Sequence, residues 1–354
     1  MSVELIADVD ALESCVGKRP AGFHLKSITY LDEHCHTLLA VSPFAVVGVA
    51  TGDGSMRTFS VGGEPGLIRP VDRTTIALPT VDGLDVPDGT AVGVLLFVPG
   101  YRETLRLNGR LGGGATPTLE VEEAFLHCAK ALIRSAFWGE PDASTSDEVA
   151  PGTQQGDRSQ VADLGQPEVA RFFDRCPFVV LSSVDADGHA DVSPKGDPAG
   201  LVARIVDDRT LAIADRPGNR RTDTMHNLVE RDNIGVLAMI PGVNRVVEVR
   251  GRAGVTADEA IRETFAVKGK VPAAAIMISA DHVEVRDETA ITDAGLWELS
   301  RHVDPTSLPK ATEVWVDHVK RNEDPGLAAK AARRAVNAKM LERGIDKDYR
   351  ENLY

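Results

Sequence analysis

Positive charge is scarce in this 354-residue chain: 39 Lys and Arg stand against 53 Asp and Glu, for a formal charge of −14. Such a chain is a poor general binder of nucleic acid or of an anionic membrane, because both need clustered cations. Cysteine is scarce too. Cys15, Cys35, Cys128 and Cys176 include no CxxC pair and are too sparse for a disulfide scaffold, so a reducing, cytoplasmic setting is expected. His34-Cys35-His36 is the nearest approach to a metal motif. Adjacent residues rarely aim at one ion, however, and no second ligand pair has zinc-site spacing, so no metal is expected. Long apolar runs are missing: Ala91–Pro99 and Ile234–Pro241 are of strand length, too short to span a bilayer. Met1–Asp10 carries three acids and no Lys or Arg, unlike a secretory leader. The remainder is ordinary globular composition, 43% hydrophobic and 26% charged, at a length suited to two domains.

An internal repeat organises the chain. Ser42-Pro43-Phe44 opens the apolar run Ala45–Val49, and Cys176-Pro177-Phe178 opens Val179–Val184. A turn follows in each copy, Gly52-Asp53-Gly54-Ser55 and Asp185-Ala186-Asp187-Gly188. Gly63–Leu67 then matches Gly196–Leu201, and Asp72–Ala77 matches Asp208–Ile213. Further on, Gly93–Gly100 matches Gly235–Gly242, and Leu107-Asn108-Gly109-Arg110 matches Val249-Arg250-Gly251-Arg252. The matches keep one order while the offset grows slowly from 134 to 142 residues, the pattern of a duplicated domain.

The repeated unit reads as mostly β. Short Val-, Leu- and Ile-rich runs are punctuated by Asp-Gly and Pro-Gly turns, and Val246–Arg250 alternates as a half-buried strand does. Several such strands at short spacing imply a barrel or sandwich. Helices are expected over Leu164–Arg175 and Thr222–Arg231. Thr256-x-x-Glu259 reads as a capping box opening a helix to about Phe265. The stretch 142–163, rich in Ser, Asp, Gly, Pro and Gln, suits a linker. Leu327–Glu342 is an Ala-, Lys- and Arg-rich helix, exposed or docking.

Two clusters could carry chemistry. In the first, Asp215-Arg216-Pro217-Gly218-Asn219-Arg220-Arg221-Thr222 lies between a strand and a helix start. Helix starts offer free N–H groups and a positive dipole end. Arginines there oppose the dipole, so a bound phosphate would explain them; a solvated turn paired with Asp215 and Asp223 would as well. In the second, Val121–Trp138 is read as helical, with His127, Lys130 and Arg134 on one face at i, i+3 and i+7. That face could meet an anion, with His127 titrating near neutrality as a proton carrier, or it could be a solvated face in which Glu123 pairs with His127.

At these residues the chain resembles the pyridoxamine 5′-phosphate oxidase-like FMN-binding proteins. The likeness rests on Ala190–Gly196, Leu211–Asn227 and Val246–Arg252, and on His127-Cys128-x-Lys130-Ala131-x-x-Arg134-Ser135-x-x-Trp138, which matches a C-terminal motif of a single-domain subgroup. It implies a mainly β, α+β fold: two split β-barrels forming an intrachain pseudo-dimer, plus a helical tail. The units are 1–140, a linker 141–163, 164–298 and the tail 299–354. The resemblance implies FMN as cofactor, with Ser193, Pro194, Lys195, Gly196, Asn219, Arg220, Arg221, Thr224, Arg134 and Ser135 binding it, and His127 and Lys130 as catalytic candidates. A deazaflavin- or haem-handling protein, or a non-catalytic flavin binder, uses the same barrel. A small-molecule substrate and a nicotinamide electron donor are the expected partners of a monomeric pseudo-dimer or higher homo-oligomer.

The copies have lost complementary parts. In the first, the phosphate turn is replaced by Thr80–Gly89, with three acids and no cation. In the second, Glu284–Ala290 replaces the His-Cys-x-Lys-Ala pattern. One composite flavin site per chain is therefore expected, built from the barrel and turn of the second copy and the helix of the first.

Overall fold

The computed structural model describes residues 3–20, 22–81, 86–114, 116–139 and 163–354. Most of the expected linker and part of the acidic loop (82–85) lie outside these residues.

The first copy carries α1 Val9–Val16 and α2 Glu33–Val41 ahead of its strands: β1 Phe44–Ala50, β2 Met56–Gly62, β3 Arg69–Pro70, β4 Thr75–Ala77, β5 Ala91–Phe97, β6 Thr104–Gly112 and β7 Thr118–His127. A short helix, α3 Lys130–Arg134, follows, and α4 Pro167–Phe173 opens the second copy. Next come β8 Phe178–Val184, β9 Ala190–Gly196, β10 Ala203–Asp207, β11 Thr210–Ala214, α5 Asp223–Glu230, β12 Asn233–Met239, β13 Arg245–Thr256, α6 Glu259–Glu263, β14 Ala275–Asp287 and α7 Thr289–Asp293. The tail holds α8 Ala311–Arg321, α9 Leu327–Ala335 and α10 Ala338–Glu351.

Two seven-stranded sheets result, β2-β1-β5-β6-β7-β4-β3 and β9-β8-β12-β13-β14-β11-β10, the same order twice. All pairings are antiparallel. Both copies place a register shift at the same point, Asn108/Gly109 in one and Arg250/Gly251 in the other. A Cβ on Gly109 would lie 1.9 Å from the Glu120 carbonyl oxygen, and one on Gly251 would lie 2.0 Å from that of Ser279. The bulge thus needs glycine in both copies. The fold is the duplicated split barrel that the sequence implies.

The two barrels meet across a shared apolar seam of Phe44, Val46, Phe97, Phe137, Phe178, Leu237 and Met239. The rings of Phe137 and Phe178 stand 4.5 Å apart. Close approach depends on small residues. A Cβ on Gly196 (β9) would lie 2.1 Å from the Ala131 carbonyl oxygen in α3, and one on Gly62 (β2) 1.8 Å from that of Ala290 in α7. Each barrel's terminal helix therefore packs on the other barrel's edge strand.

Both ends of the chain cross over. Leu12 of α1 is buried in the second barrel's core, and Ile6 N donates to Val255 O at 2.7 Å. Leu308, Val314 and Trp315 join the first barrel's core. The unit boundaries at 140 and 299 thus describe the repeats, while packing assigns the N-terminal helix to the second barrel and α8 to the first. Two local readings also change. The cap of α6 is Asp258, which accepts from Ile261 N at 3.1 Å, while Thr256 donates instead to Glu4 O at 2.7 Å. The single tail helix expected over 327–342 is two, α9 and α10, broken at Val336-Asn337.

Candidate functional site

A cavity of about 610 Å³ opens where the two copies meet. The first copy lines it with Arg106, His127, Cys128, Lys130, Ala131 and Arg134. The second contributes Ser193–Lys195 from β9 and the whole turn Asp215–Met225. The two clusters singled out in the sequence are thus one site, although they lie about 90 residues apart in the chain.

The local structure at the first cluster differs from the expected helix. β7 runs extended as far as His127, and α3 begins only at Lys130. Period 2 therefore governs up to His127. Glu123 does not pair with His127: it accepts from Arg221, Ser27 and Asn108. His127, Lys130 and Arg134 still converge, because the strand end and α3 both face the cavity. The His127 ring is buried. Loss of solvent, then the neighbouring Arg106 guanidinium, lowers its pKa to about 3. The expectation of a titrating imidazole near neutrality is therefore corrected: His127 is neutral, with Nδ1 3.3 Å from the Cys128 carbonyl oxygen.

In the phosphate turn, Asn219 Oδ1 accepts from Arg221 N at 3.0 Å. Arg220 and Thr222 both take left-handed backbone, φ 59° and 53°. Such residues strain the chain and cup its N–H groups into an anion-binding concavity. The Arg220 side chain is exposed. Arg221 turns inward instead: Nε donates to Asp223 at 2.8 Å, one terminal nitrogen to Glu123 at 2.6 Å and the other to Ser27 at 2.9 Å. Arg221 is therefore a lock between the copies. Thr224 Oγ1 donates to Asp191 at 2.7 Å, and Lys195 pairs with Asp215 at 2.7 Å. Gly196 and Ser135 stand behind the cavity wall. The Gly196 carbonyl accepts from Arg134 Nε at 2.8 Å, and the Ser135 hydroxyl bonds back to Ala131 O.

Arg106 was not singled out in the sequence, yet it sits at the centre. It is 1% exposed, donates to Asp191, to Ser193 Oγ at 3.0 Å and to Asp223 at 2.6 Å, and lies over the Phe125 ring. Glu123, Arg221, Asp223, Arg106 and Asp191 so alternate in charge across the junction. Burial opposes ionisation of Asp223, but Arg221 and Arg106 outweigh it and hold that carboxyl well below the usual range. Burial raises Asp191 in spite of Arg106. A signal for Arg106 was present: the 142-residue offset that aligns Leu107 with Val249 sets Arg106 against Glu248, two charges at one position, each between apolar neighbours, Leu105 and Leu107 in one copy and Val247 and Val249 in the other.

That pairing also shows what became of the second site. Arg57 is the counterpart of Asp191, at the 134-residue offset. There the charges are reversed: Glu248, fully buried, faces Arg57 at 3.9 Å, Arg250 at 3.4 Å and Arg286 at 2.7 Å, and Arg286 also meets Glu288 at 3.1 Å. Those charges face one another, while Glu248 Oε1 and the Nε atoms of Arg57 and Arg250 make no hydrogen bond among the described residues.

Residues 166–294 match the family model described as pyridoxamine 5′-phosphate oxidase. Among curated proteins no relative matches. Among solved structures, a HupZ variant from Group A Streptococcus is 18% identical, covering 34% of this chain and 98% of that one, with a TM-score of 0.29. A protein from Lactobacillus delbrueckii described as a putative pyridoxamine 5′-phosphate oxidase is 20% identical over 36% and 99%, TM-score 0.29. General Stress Protein 26 from Bacillus anthracis is 18% identical over 32% and 88%, TM-score 0.26. The matched segment spans the second barrel and its phosphate turn, and the first barrel repeats the same strand order, so the second barrel is similar to the pyridoxamine 5′-phosphate oxidase family and the chain carries that strand order twice.

Proposed function

We propose that the interdomain cavity holds FMN and that the chain is an FMN-dependent oxidoreductase acting on a small molecule, with one composite site per chain. The observation that carries this reading is the joint lining: β9 and the turn of one copy, α3 and the end of β7 of the other. The residues fit such a cofactor. The volume is that of a small-ligand site, the left-handed turn presents Arg220 outward, and the deeply buried Arg106 Nε has no hydrogen-bond partner.

Bound flavin would supply the electron chemistry, with a nicotinamide compound as proposed donor, while the protein orients and tunes it. Arg220 and the N–H groups of Asn219, Arg220 and Thr222 would take the phosphate, with the Arg221 N–H held by Asn219 Oδ1. Ser193, Pro194 and Lys195 would border the ring system. Lys130 and Arg134 line the first copy's side of the cavity, Arg134 also donating to Pro217 O of the turn at 3.1 Å, and would stabilise negative charge on a reduced flavin or an anionic substrate. Neutral His127 is a hydrogen-bond partner and not an acid at neutral pH.

A charge-assisted hydrogen bond contributes about 1.5–3 kcal/mol, so Arg220→Ala should weaken flavin binding about tenfold to a hundredfold. The measurement is a flavin fluorescence titration of the folded variant, with the cofactor released from the parent identified by mass. Unchanged affinity would overturn the phosphate assignment, and a cofactor other than FMN would overturn the proposal.

A further inference from the structure

The tail returns to the cavity. Beyond α8 and α9, α10 lies along the first barrel with Leu341 and Ile345 against its core. Its last turn and the residues after it then reach the site. Lys130 Nζ meets Asp348 at 2.7 Å and donates to Asn352 O at 2.8 Å. Arg134 donates to Leu353 O at 2.8 Å, and Lys270 to Tyr354 O at 3.0 Å. The hydroxyl of Tyr349 accepts from Ala129 N at 3.1 Å. Tyr354 itself lines the cavity, with the Arg216 guanidinium 5.7 Å and the Lys268 ammonium 5.6 Å from its ring centre.

These contacts have one chemical pattern. Lys130 and Arg134, 2% and 8% exposed, are buried cations, and a buried cation without a partner is costly. From the tail, Lys130 receives the Asp348 carboxylate and the Asn352 carbonyl oxygen, while Arg134, with Asp197 3.7 Å away, receives only the Leu353 carbonyl oxygen; a neutral carbonyl holds a cation less strongly than an ionised oxygen does. Beside those oxygens lies a planar ring flanked by two cations. The tail so presents acceptor oxygens and an aromatic face to the cationic wall, and a true anion would hold that wall better.

We propose that Asp348–Tyr354 is a displaceable strap standing in the substrate's place, and that the substrate which displaces it is a planar aromatic acid. This rests on the reading of the cavity as a flavin and substrate site. When the strap is in, the cations are satisfied and the cavity is partly filled. When the acid enters, its carboxylate replaces the carbonyl oxygens on Lys130 and Arg134, and its ring replaces that of Tyr354.

The test uses FMN-loaded protein, full length and shortened after Glu351, so that α10 and its core contacts remain. Benzoate is titrated against each, followed by perturbation of the flavin absorbance, with cyclohexanecarboxylate as the non-planar control. Removing a competitor from the site should tighten benzoate binding about tenfold or more, and cyclohexanecarboxylate should bind more weakly than benzoate. In the full-length protein, benzoate should speed amide hydrogen exchange across Asp348–Tyr354. Asp348→Asn, a change at a half-exposed side chain, keeps the full length and should tighten benzoate several-fold. Equal or weaker binding to the shortened chain and to Asp348→Asn, or unchanged exchange with benzoate bound, would overturn the strap. Failure of benzoate to bind any form overturns the substrate class. If no form takes up FMN, the flavin reading fails by itself, and exchange of Asp348–Tyr354 with benzoate alone then decides the strap.

Discussion

His127 shows how far one side chain's chemistry departs from its residue type. A free imidazole takes up a proton near 6.5, whereas this one, enclosed beside Arg106, does so only near 3. Between those values the unfolded chain binds a proton that the folded chain refuses, so this group's contribution is complete above about 6.5 and stability is lost as pH falls below it. The slope from one such group reaches at most about 1.4 kcal/mol per pH unit. His127→Gln should therefore show a shallower loss of stability between about pH 6 and 4 than the parent, measured by denaturant unfolding across that range. A parallel pH dependence in the two proteins would mean that His127 is protonated in the folded state. In spite of burial, Asp32 is held low by hydrogen bonds from His318 and the Cys35 N–H, and Asp223 by Arg221 and Arg106; both add their own loss at more acid pH and remain in the variant.

Among the elements, α8 decides where the tail goes. Its buried residues are Val314, Trp315, Val316, His318 and Val319, of which Val314, Trp315, His318 and Val319 follow the i, i+1, i+4, i+5 pattern of an amphipathic helix. Trp315 is 4% exposed, and its indole N–H donates to Leu126 O at 2.8 Å, the residue before His127. Arg321 donates to Asp32 at 2.6 Å, and Asp32 in turn caps α2 through Cys35 N. Replacing a buried tryptophan by alanine costs about 3–5 kcal/mol. Trp315→Ala should lower unfolding stability by that order and speed amide exchange throughout Ala311–Tyr354, because α9 and α10 follow α8. Faster exchange confined to α8 would show that α10 docks independently.

For the whole molecule, duplication gives two related junctions whose charges differ. The same two-barrel frame presents two equivalent junctions. One joins Arg106 to Asp191 and leaves a cavity; the other joins Glu248 to Arg57, Arg250 and Arg286. An anionic cofactor at the second junction would have to displace Glu248 from those arginines and meet its charge, which is unfavourable in a buried setting. Flavin should therefore bind at about one per chain, as counted by absorbance of the released cofactor against protein concentration. A ratio near two would show that the second junction still works. Among the described residues no helix is long and apolar enough to cross a membrane.

The sequence by itself determined the duplication, the mostly β character of each copy and the Asn219–Thr222 turn. All of these are local patterns or comparisons of one stretch with another. It also marked His127, Lys130 and Arg134 as belonging together, though for the wrong reason: a helix through His127 was assumed where a strand ends. Only the tertiary structure decided the partners. That Arg221 faces Glu123 and not solvent, that Arg106 bridges Asp191 and Asp223, and that the tail's carbonyl oxygens end on Lys130 and Arg134 all depend on which face meets which across the seam. Such pairings join residues from 85 positions apart, as Arg106 and Asp191 are, to 219 apart, as Arg134 and Leu353 are, and neither periodicity nor spacing encodes them. They follow from packing two barrels so closely that Gly196 rests on the carbonyl of Ala131, because that contact brings α3 and the turn to one cavity, where Arg134 donates to Pro217 O at 3.1 Å.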